Sequence, residues 1–279
     1  MSCGGGFTLA RVTNRDEGNN CTKRKSINIF SWGFTAMGRL GLGRFGSKSE
    51  SSKSPPIGSE QTKVPWCQCN PISISNLEEE EIIDISAGAK HALASNSKGE
   101  VFAWGSNSAG ECSVLNIDAI EMDQTQISTL WDDVWAPRKI HFFGNADTGI
   151  QAKSVAAGGI HSAALDRNGL VYSWGGGGHG DCLGHGDVPT YEYGIRQKVD
   201  ASKRQFNVMT GCLRPPKWAL PRTIEALKRF RISNMKLGTK HGTALTDSGT
   251  MYIWGDHSPD LQKVSYILIL NLAKRKHSH

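Results

Sequence analysis

Long hydrophobic runs are missing from this 279-residue chain. The longest late stretch, Val264 to Leu272, carries polar interruptions and is far too short to span a bilayer, so membrane insertion is not expected. The opening residues also lack the basic-then-apolar pattern of a secretory signal. The seven cysteines are odd in number and follow no framework spacing, so they read as reduced thiols in an intracellular setting, cytoplasmic or nuclear. Cys67-Gln68-Cys69 could offer two metal ligands, but no second Cys/His pair stands at zinc spacing, and no metal site is expected. Charge of one sign is scarce as well. The net +6 is modest and spread out, with small clusters at Lys23-Arg24-Lys25 and Lys274-Arg275-Lys276. Nucleic acid or chromatin is allowed as a partner but not demanded. The run Glu78-Glu79-Glu80-Glu81 reads as a solvated face ahead of a strand.

Catalytic signatures are also lacking. There is no nucleophile-elbow serine, no Cys/His pair and no pair of catalytic carboxylates. Gly175 to Gly180 contains a formal Gly-x-Gly-x-x-Gly, but Asp181, Cys182, Leu183 and another glycine follow, so no helix begins where a pyrophosphate would sit. No cofactor, small-molecule substrate or catalytic activity is therefore expected. His179, Asp181, His185 and Asp187 form a dense His/Asp loop, but a repeating loop pattern already accounts for its Gly-His-Gly-Asp portion.

What the chain has is glycine, 32 residues of it, eight tryptophans, and a recurring block. Gly88-x-x-His91 is followed thirteen residues after the histidine by Trp104-Gly105. Gly158-x-x-His161 leads to Trp174-Gly175, and Gly238-x-x-His241 to Trp254-Gly255, at the same thirteen-residue step. A degenerate first copy runs from Gly4-Gly5-Gly6-Phe7 to Trp32-Gly33. Such self-similarity marks a repeat architecture. Within each of the three full copies, small and apolar residues follow the histidine, then a turn ending in Gly99, Gly169 or Gly249, then a short apolar run into the Trp-Gly. That grammar is a β-hairpin whose second strand is anchored by tryptophan. The segments starting at Pro71, Pro137 and Pro221, each Pro-x-x-Ile, are expected to begin each unit as a strand, since proline at a strand start costs no ladder bond. Residues 34–70, 106–136 and 176–220 are long, polar or Gly/Ser-rich, and unlike one another.

Taken in order, Gly-x-x-His, the small-apolar run, the Asp-x-x-Gly turn, Val171-Tyr172-Ser173-Trp174-Gly175 and Gly180-Asp181-Cys182-Leu183-Gly184-His185-Gly186-Asp187 closely resemble the regulator of chromosome condensation repeat. Met37-Gly38-Arg39-Leu40-Gly41-Leu42-Gly43 echoes the same loop in the first copy. The resemblance covers most of residues 1–256. It implies an all-β fold: a β-propeller of four-stranded antiparallel blades, seven closing the ring in that family. The chain holds about four, with blades near 1–66, 67–133, 134–217 and 218–256 and a divergent tail over 257–279. The Trp-to-Trp steps of 72, 70 and 80 exceed the family's usual repeat, so the connections carry insertions. A fragment with an incomplete ring is expected over a closed four-bladed one.

A residue type that recurs once per blade serves the scaffold more readily than chemistry. Gly88, His91, Trp104, Gly158, His161, Trp174, Gly238, His241, Trp254 and Trp32 are accordingly read as structural positions, with Phe7 replacing the histidine in the first copy. Trp131-Asp132-Asp133-Val134-Trp135 is not repeated. Two tryptophans around two aspartates are the composition of an interface anchor, and these four residues are the candidate partner-binding site; the alternative is that the tryptophans cover an outer strand. Trp66 and Trp218, in the other insertions, carry the same ambiguity. The expected function is a non-catalytic protein-interaction scaffold. The resemblance also implies an alternative, a guanine-nucleotide exchange factor or regulator for a Ran-like small GTPase. A further one is the repeat portion of a longer protein such as a ubiquitin ligase.

Overall fold

The computed structural model describes residues 1–13, 27–43, 67–113, 132–176, 182–186, 219–255 and 268–271. They form four antiparallel sheets of four strands each, in chain order. Sheet 1 holds β1 (Ser2–Cys3), β2 (Phe7–Thr13), β3 (Ile27–Phe34) and β4 (Cys67–Ser73). Sheet 2 holds β5 (Ile82–Ala87), β6 (His91–Asn96), β7 (Val101–Gly105) and β8 (Val134–Ile140). Sheet 3 holds β9 (Ala152–Ala157), β10 (His161–Asp166), β11 (Val171–Gly175) and β12 (Arg222–Thr223). Sheet 4 holds β13 (Ile232–Leu237), β14 (His241–Thr246), β15 (Thr250–Gly255) and β16 (Leu268–Asn271). Each sheet packs on the next through its first two strands, and the ring is not closed. Among the described residues no helix is long and apolar enough to cross a membrane.

The small residues of the second strands follow from this stacking. β6 (HALASN) and β10 (HSAALD) are buried at every position, because each lies in a sheet covered on both faces. In β14 (HGTALT) burial alternates, the pattern of a sheet covered on one face only. Alanine and serine let neighbouring sheets approach, and larger side chains fill the wider outer gap. There Phe143 meets Tyr172 and Trp174 at ring-centroid separations of 5.8 and 5.7 Å. One buried cluster joins sheets 1 to 3 and a second joins sheets 3 and 4.

The Pro-x-x-Ile segments differ from expectation. Each ends a sheet. Ser73 pairs with Phe30, Ile140 with Val101, and Thr223 with Tyr172, so these strands bond to the third strand of the preceding hairpin. The fourth strand is the outer edge of its sheet, and an edge tolerates proline as well as a strand start does. The isoleucines Ile74, Ile140 and Ile224 then turn inward, each 1% exposed. Sheet 4 takes its fourth strand from the tail, where Tyr252 pairs with Ile269 and Met251 with Leu270.

Candidate functional site

The repeated block builds the joints between sheets. His91 pairs across the hairpin with Gly105, His161 with Gly175, His241 with Gly255, and Phe7 with Gly33. These four glycines have φ between +97° and +116°. A Cβ at Gly105 would lie 2.6 Å from the His91 Cα, so only glycine fits after the tryptophan. The glycine that opens each block is fixed by two neighbours. At Gly88 a Cβ would lie 2.5 Å from the Gly158 carbonyl oxygen in the next sheet and 2.9 Å from the His91 ring. At Gly158 it would lie 2.7 Å from the Gly238 oxygen and 2.6 Å from the His161 ring, and at Gly4 2.2 Å from the Gly88 oxygen and 2.7 Å from Phe7. Gly-x-x-His is therefore one packing unit, in which the ring lies on its own glycine and the glycine on the adjoining sheet.

The tryptophans close the same joints from outside. Trp104 Nε1–H donates to the Arg39 carbonyl (3.0 Å), Trp174 to Glu111 (2.8 Å) and Trp254 to Cys182 (3.1 Å). In every case the acceptor lies in the loop after the Trp-Gly of the preceding sheet. At the joint of sheets 2 and 3 the histidine joins in. Ser162 Oγ donates to the Glu111 carbonyl (2.7 Å), which leaves His91 Nε2–H to donate to Ser162 Oγ (2.9 Å). At the next joint Gly242 stands where Ser162 stands, since both pair with the block tryptophan of their sheet. Without that hydroxyl, both ring nitrogens of His161 lack a hydrogen bond; the His241 backbone lies alongside, outside good geometry. Burial pushes His91 down to about 3 and His161 to about 4, so both rings are neutral at neutral pH. Neither is placed to relay protons to a substrate.

The Ser173–His185 pair is structural by the same proton count. Ser173 Oγ donates to the Leu183 carbonyl (2.6 Å). His185 Nε2 lies 2.8 Å from Ser173 Oγ and 3.2 Å from the Arg222 carbonyl, which can only accept, so Nε2 carries the proton and cannot take one from the serine. Burial also lowers His185 to about 4. His179, Asp181 and Asp187 of the same loop lie outside the described residues. Among the described residues no three His, Cys, Asp or Glu side chains gather in metal-binding range.

Of the non-repeated candidates, Trp131 lies outside the described residues, as do Trp66 and Trp218. Asp132 is exposed, and Asp133 and Trp135 are half-buried at the start of β8. The structure brings these three beside the first post-tryptophan loop. Gly43 N–H donates to the Trp135 carbonyl (2.9 Å), and a Cβ on Gly38 would lie 2.7 Å from the Val134 oxygen. Burial raises the Asp133 carboxyl above its usual range, against the Asn107 backbone N–H that it accepts; the neighbouring Asp132 raises it further and Arg39 opposes. Arg39 donates to the Ala36 and Gly5 carbonyls at 2.9 and 2.7 Å. Around this loop Phe34 and Met37 are 43% and 36% exposed. Sequence reasoning missed Arg39, Glu111 and Cys182 because they contribute backbone carbonyls, which no side-chain pattern encodes.

The sequence matches the Regulator of chromosome condensation (RCC1) repeat over residues 28–95 and 98–165, and a second profile of the same description over residues 82–111 and 152–181. The chain belongs to the regulator of chromosome condensation (RCC1) repeat family. The ultraviolet-B receptor UVR8 of Arabidopsis thaliana is 28% identical over 90% of this chain and 54% of its own length. The probable E3 ubiquitin-protein ligase HERC6 of Homo sapiens is 25% identical over 85% of this chain and 18% of its own. Among solved structures, Prp20p of Saccharomyces cerevisiae superposes with a TM-score of 0.58 at 20% identity, covering 98% of this chain and 50% of that one. Human WBSCR16 superposes with a TM-score of 0.55 at 15% identity, covering 97% and 65%. The RCC1-repeat chain thus has the β-propeller blade fold and spans about half the length of the first of these relatives.

Proposed function

We propose that this RCC1-repeat chain is a non-catalytic protein-interaction scaffold whose partner contacts Trp131, Asp132, Asp133 and Trp135. One observation carries the reading. The recurring glycines, histidines and tryptophans are taken up by joints between sheets, whereas Asp132 to Trp135 stand at the joint of sheets 1 and 2 with charge and apolar surface facing outward. Half-buried Trp135 and exposed Phe34 and Met37 supply the apolar contact, and Asp132 supplies charge at its rim. Trp131→Ala with Trp135→Ala should remove captured partners from a source-cell extract while the near-ultraviolet circular dichroism stays that of the parent. Unchanged capture, or a collapsed melting transition, would contradict it.

A second reading is nucleotide exchange on a Ran-like small GTPase. It is favoured by the family resemblance and by the solved neighbour Prp20p, described by its binding to Gsp1p and histones. The purified chain would then accelerate release of labelled GDP from Ran above the buffer rate. A folded sample with no acceleration removes this reading.

A further inference from the structure

The first strands of sheets 2 and 4 are preceded by segments of the same shape and opposite charge. Residues 75–82 and 225–232 each open on a 3-10 turn, Ser75–Leu77 and Glu225–Leu227. Each buries its third and eighth residues (Leu77 and Ile82, Leu227 and Ile232), half-buries one (Glu80, Phe230) and exposes the rest. Each is tied to the hairpin turn of its own sheet by one bond. Ser97 N–H donates to the Glu81 carbonyl (2.9 Å) and Asp247 N–H to the Arg231 carbonyl (3.1 Å). In sheet 3 the same bond runs from Arg167 N–H to Gln151 (3.0 Å). Along consecutive sheets this position therefore reads acid, neutral, base: Glu81, Gln151, Arg231. Glu78 and Glu79 likewise stand where Lys228 and Arg229 stand.

Local bonding leaves much of this charge facing solvent. Glu78 and Glu81 accept only from the neutral hydroxyls of Ser73 (3.0 Å) and Ser97 (2.7 Å). Lys228 and Arg231 pair with Glu225 (2.8 Å) and Asp247 (3.3 Å), but both are exposed surface pairs, which hold little energy. Arg229 lies over the Phe230 ring at 4.8 Å.

Because sheets 2, 3 and 4 follow one another in the same orientation, both segments lie on one rim of the arc with neutral sheet 3 between them. A two-fold axis running radially through sheet 3 would set the acidic segment of one copy on the basic segment of another, and repeat the match in reverse. We propose that this rim is a self-association surface on which two copies pair, Glu78, Glu79 and Glu81 against Lys228, Arg229 and Arg231, in a salt-dependent symmetric dimer. An acidic ligand would be attracted by one segment and repelled by the other; a second copy satisfies both at once.

The test is sedimentation velocity of the full chain as ionic strength rises from about 0.01 M to about 1 M, which shortens the screening length from about 30 Å to about 3 Å. The expected result is a dimer at low salt whose dissociation constant rises roughly tenfold or more at high salt. Glu79→Lys with Glu81→Lys, and separately Arg229→Glu with Arg231→Glu, should each be monomeric, and an equimolar mixture of the two should form a one-to-one dimer. The single variants Glu79→Lys and Arg229→Glu repeat the test with one exposed change each. A monomeric parent at low salt, a dimer indifferent to salt, an acid-reversed variant that still dimerises, or a mixture that fails to pair overturns the proposal. A monomer whose basic segment instead retains a polyanion such as heparin overturns it equally.

Discussion

Acid should unfold this protein well above the pH at which carboxylates protonate, because its joints enclose neutral imidazoles. His91, His161 and His185 are held by burial at about 3, 4 and 4, against 6.5 for an open chain. A histidine whose folded value is depressed contributes stability that is complete above the unfolded value and fades as pH falls below it, since the unfolded chain takes up the proton first. Between pH 7 and pH 5 the loss is set almost wholly by the unfolded value and comes to about 2 kcal/mol for each of His91 and His161. His185 is less enclosed and adds a smaller share, for about 5 kcal/mol together, a large part of a typical domain's stability. The assay is urea denaturation followed by tryptophan fluorescence at pH 7, 6 and 5. A variant sharpens it. His91→Phe places in sheet 2 the residue that sheet 1 carries as Phe7; it loses the bond to Ser162, about 1 kcal/mol at pH 7, but has no proton to exclude. Its stability curve should cross that of the parent and lie about 1 kcal/mol above it at pH 5. A parent equally stable at pH 7 and 5, or one that weakens only below pH 4.5, would refute the reasoning and move the acid sensitivity to carboxylates.

Two substitutions test the joints separately. Gly88→Ala sets a methyl 2.5 Å from a backbone oxygen that cannot swing aside and should cost about 3 kcal/mol, read as a lower urea midpoint; a neutral result would mean the sheets are looser than described. Ser113→Gly should stabilise by about 1 kcal/mol, because Ser113 has φ +46° where the neighbouring joints carry Gly41 and Gly184, and its buried hydroxyl has no partner among the described residues. A lowered midpoint would show that the loop draws strength from the serine.

The hairpins were legible because their signals are local. The Asn96 and Asp166 turns, the positive-φ glycines and the thirteen-residue step from histidine to tryptophan all act within one hairpin, and the structure places them in four-stranded antiparallel sheets. The Pro-x-x-Ile strands were assigned to the wrong end of the unit because proline marks an edge without saying which edge. The four-residue strand β16 sits in a segment without repeat pattern, and only its pairing with β15 reveals it. The joints were half legible. The tryptophan donors recur visibly, but their acceptors are main-chain carbonyls of Arg39, Glu111 and Cys182, three unlike side chains. Charge inversion between residues 78–81 and 228–231 was present in the sequence, yet it carries meaning only once both segments are seen to occupy the same place in successive sheets.

The joint itself can be read most directly by hydrogen exchange at the tryptophan indoles, followed in nitrogen-proton correlation spectra with single-site assignments. Trp104, Trp174 and Trp254, buried and bonded to the loop of the preceding sheet, should exchange with the slow rates of the core, and half-buried Trp32, which makes no such bond among the described residues, should exchange fast. If the three block tryptophans exchange as fast as Trp32, the repeated block does not lock sheet to sheet.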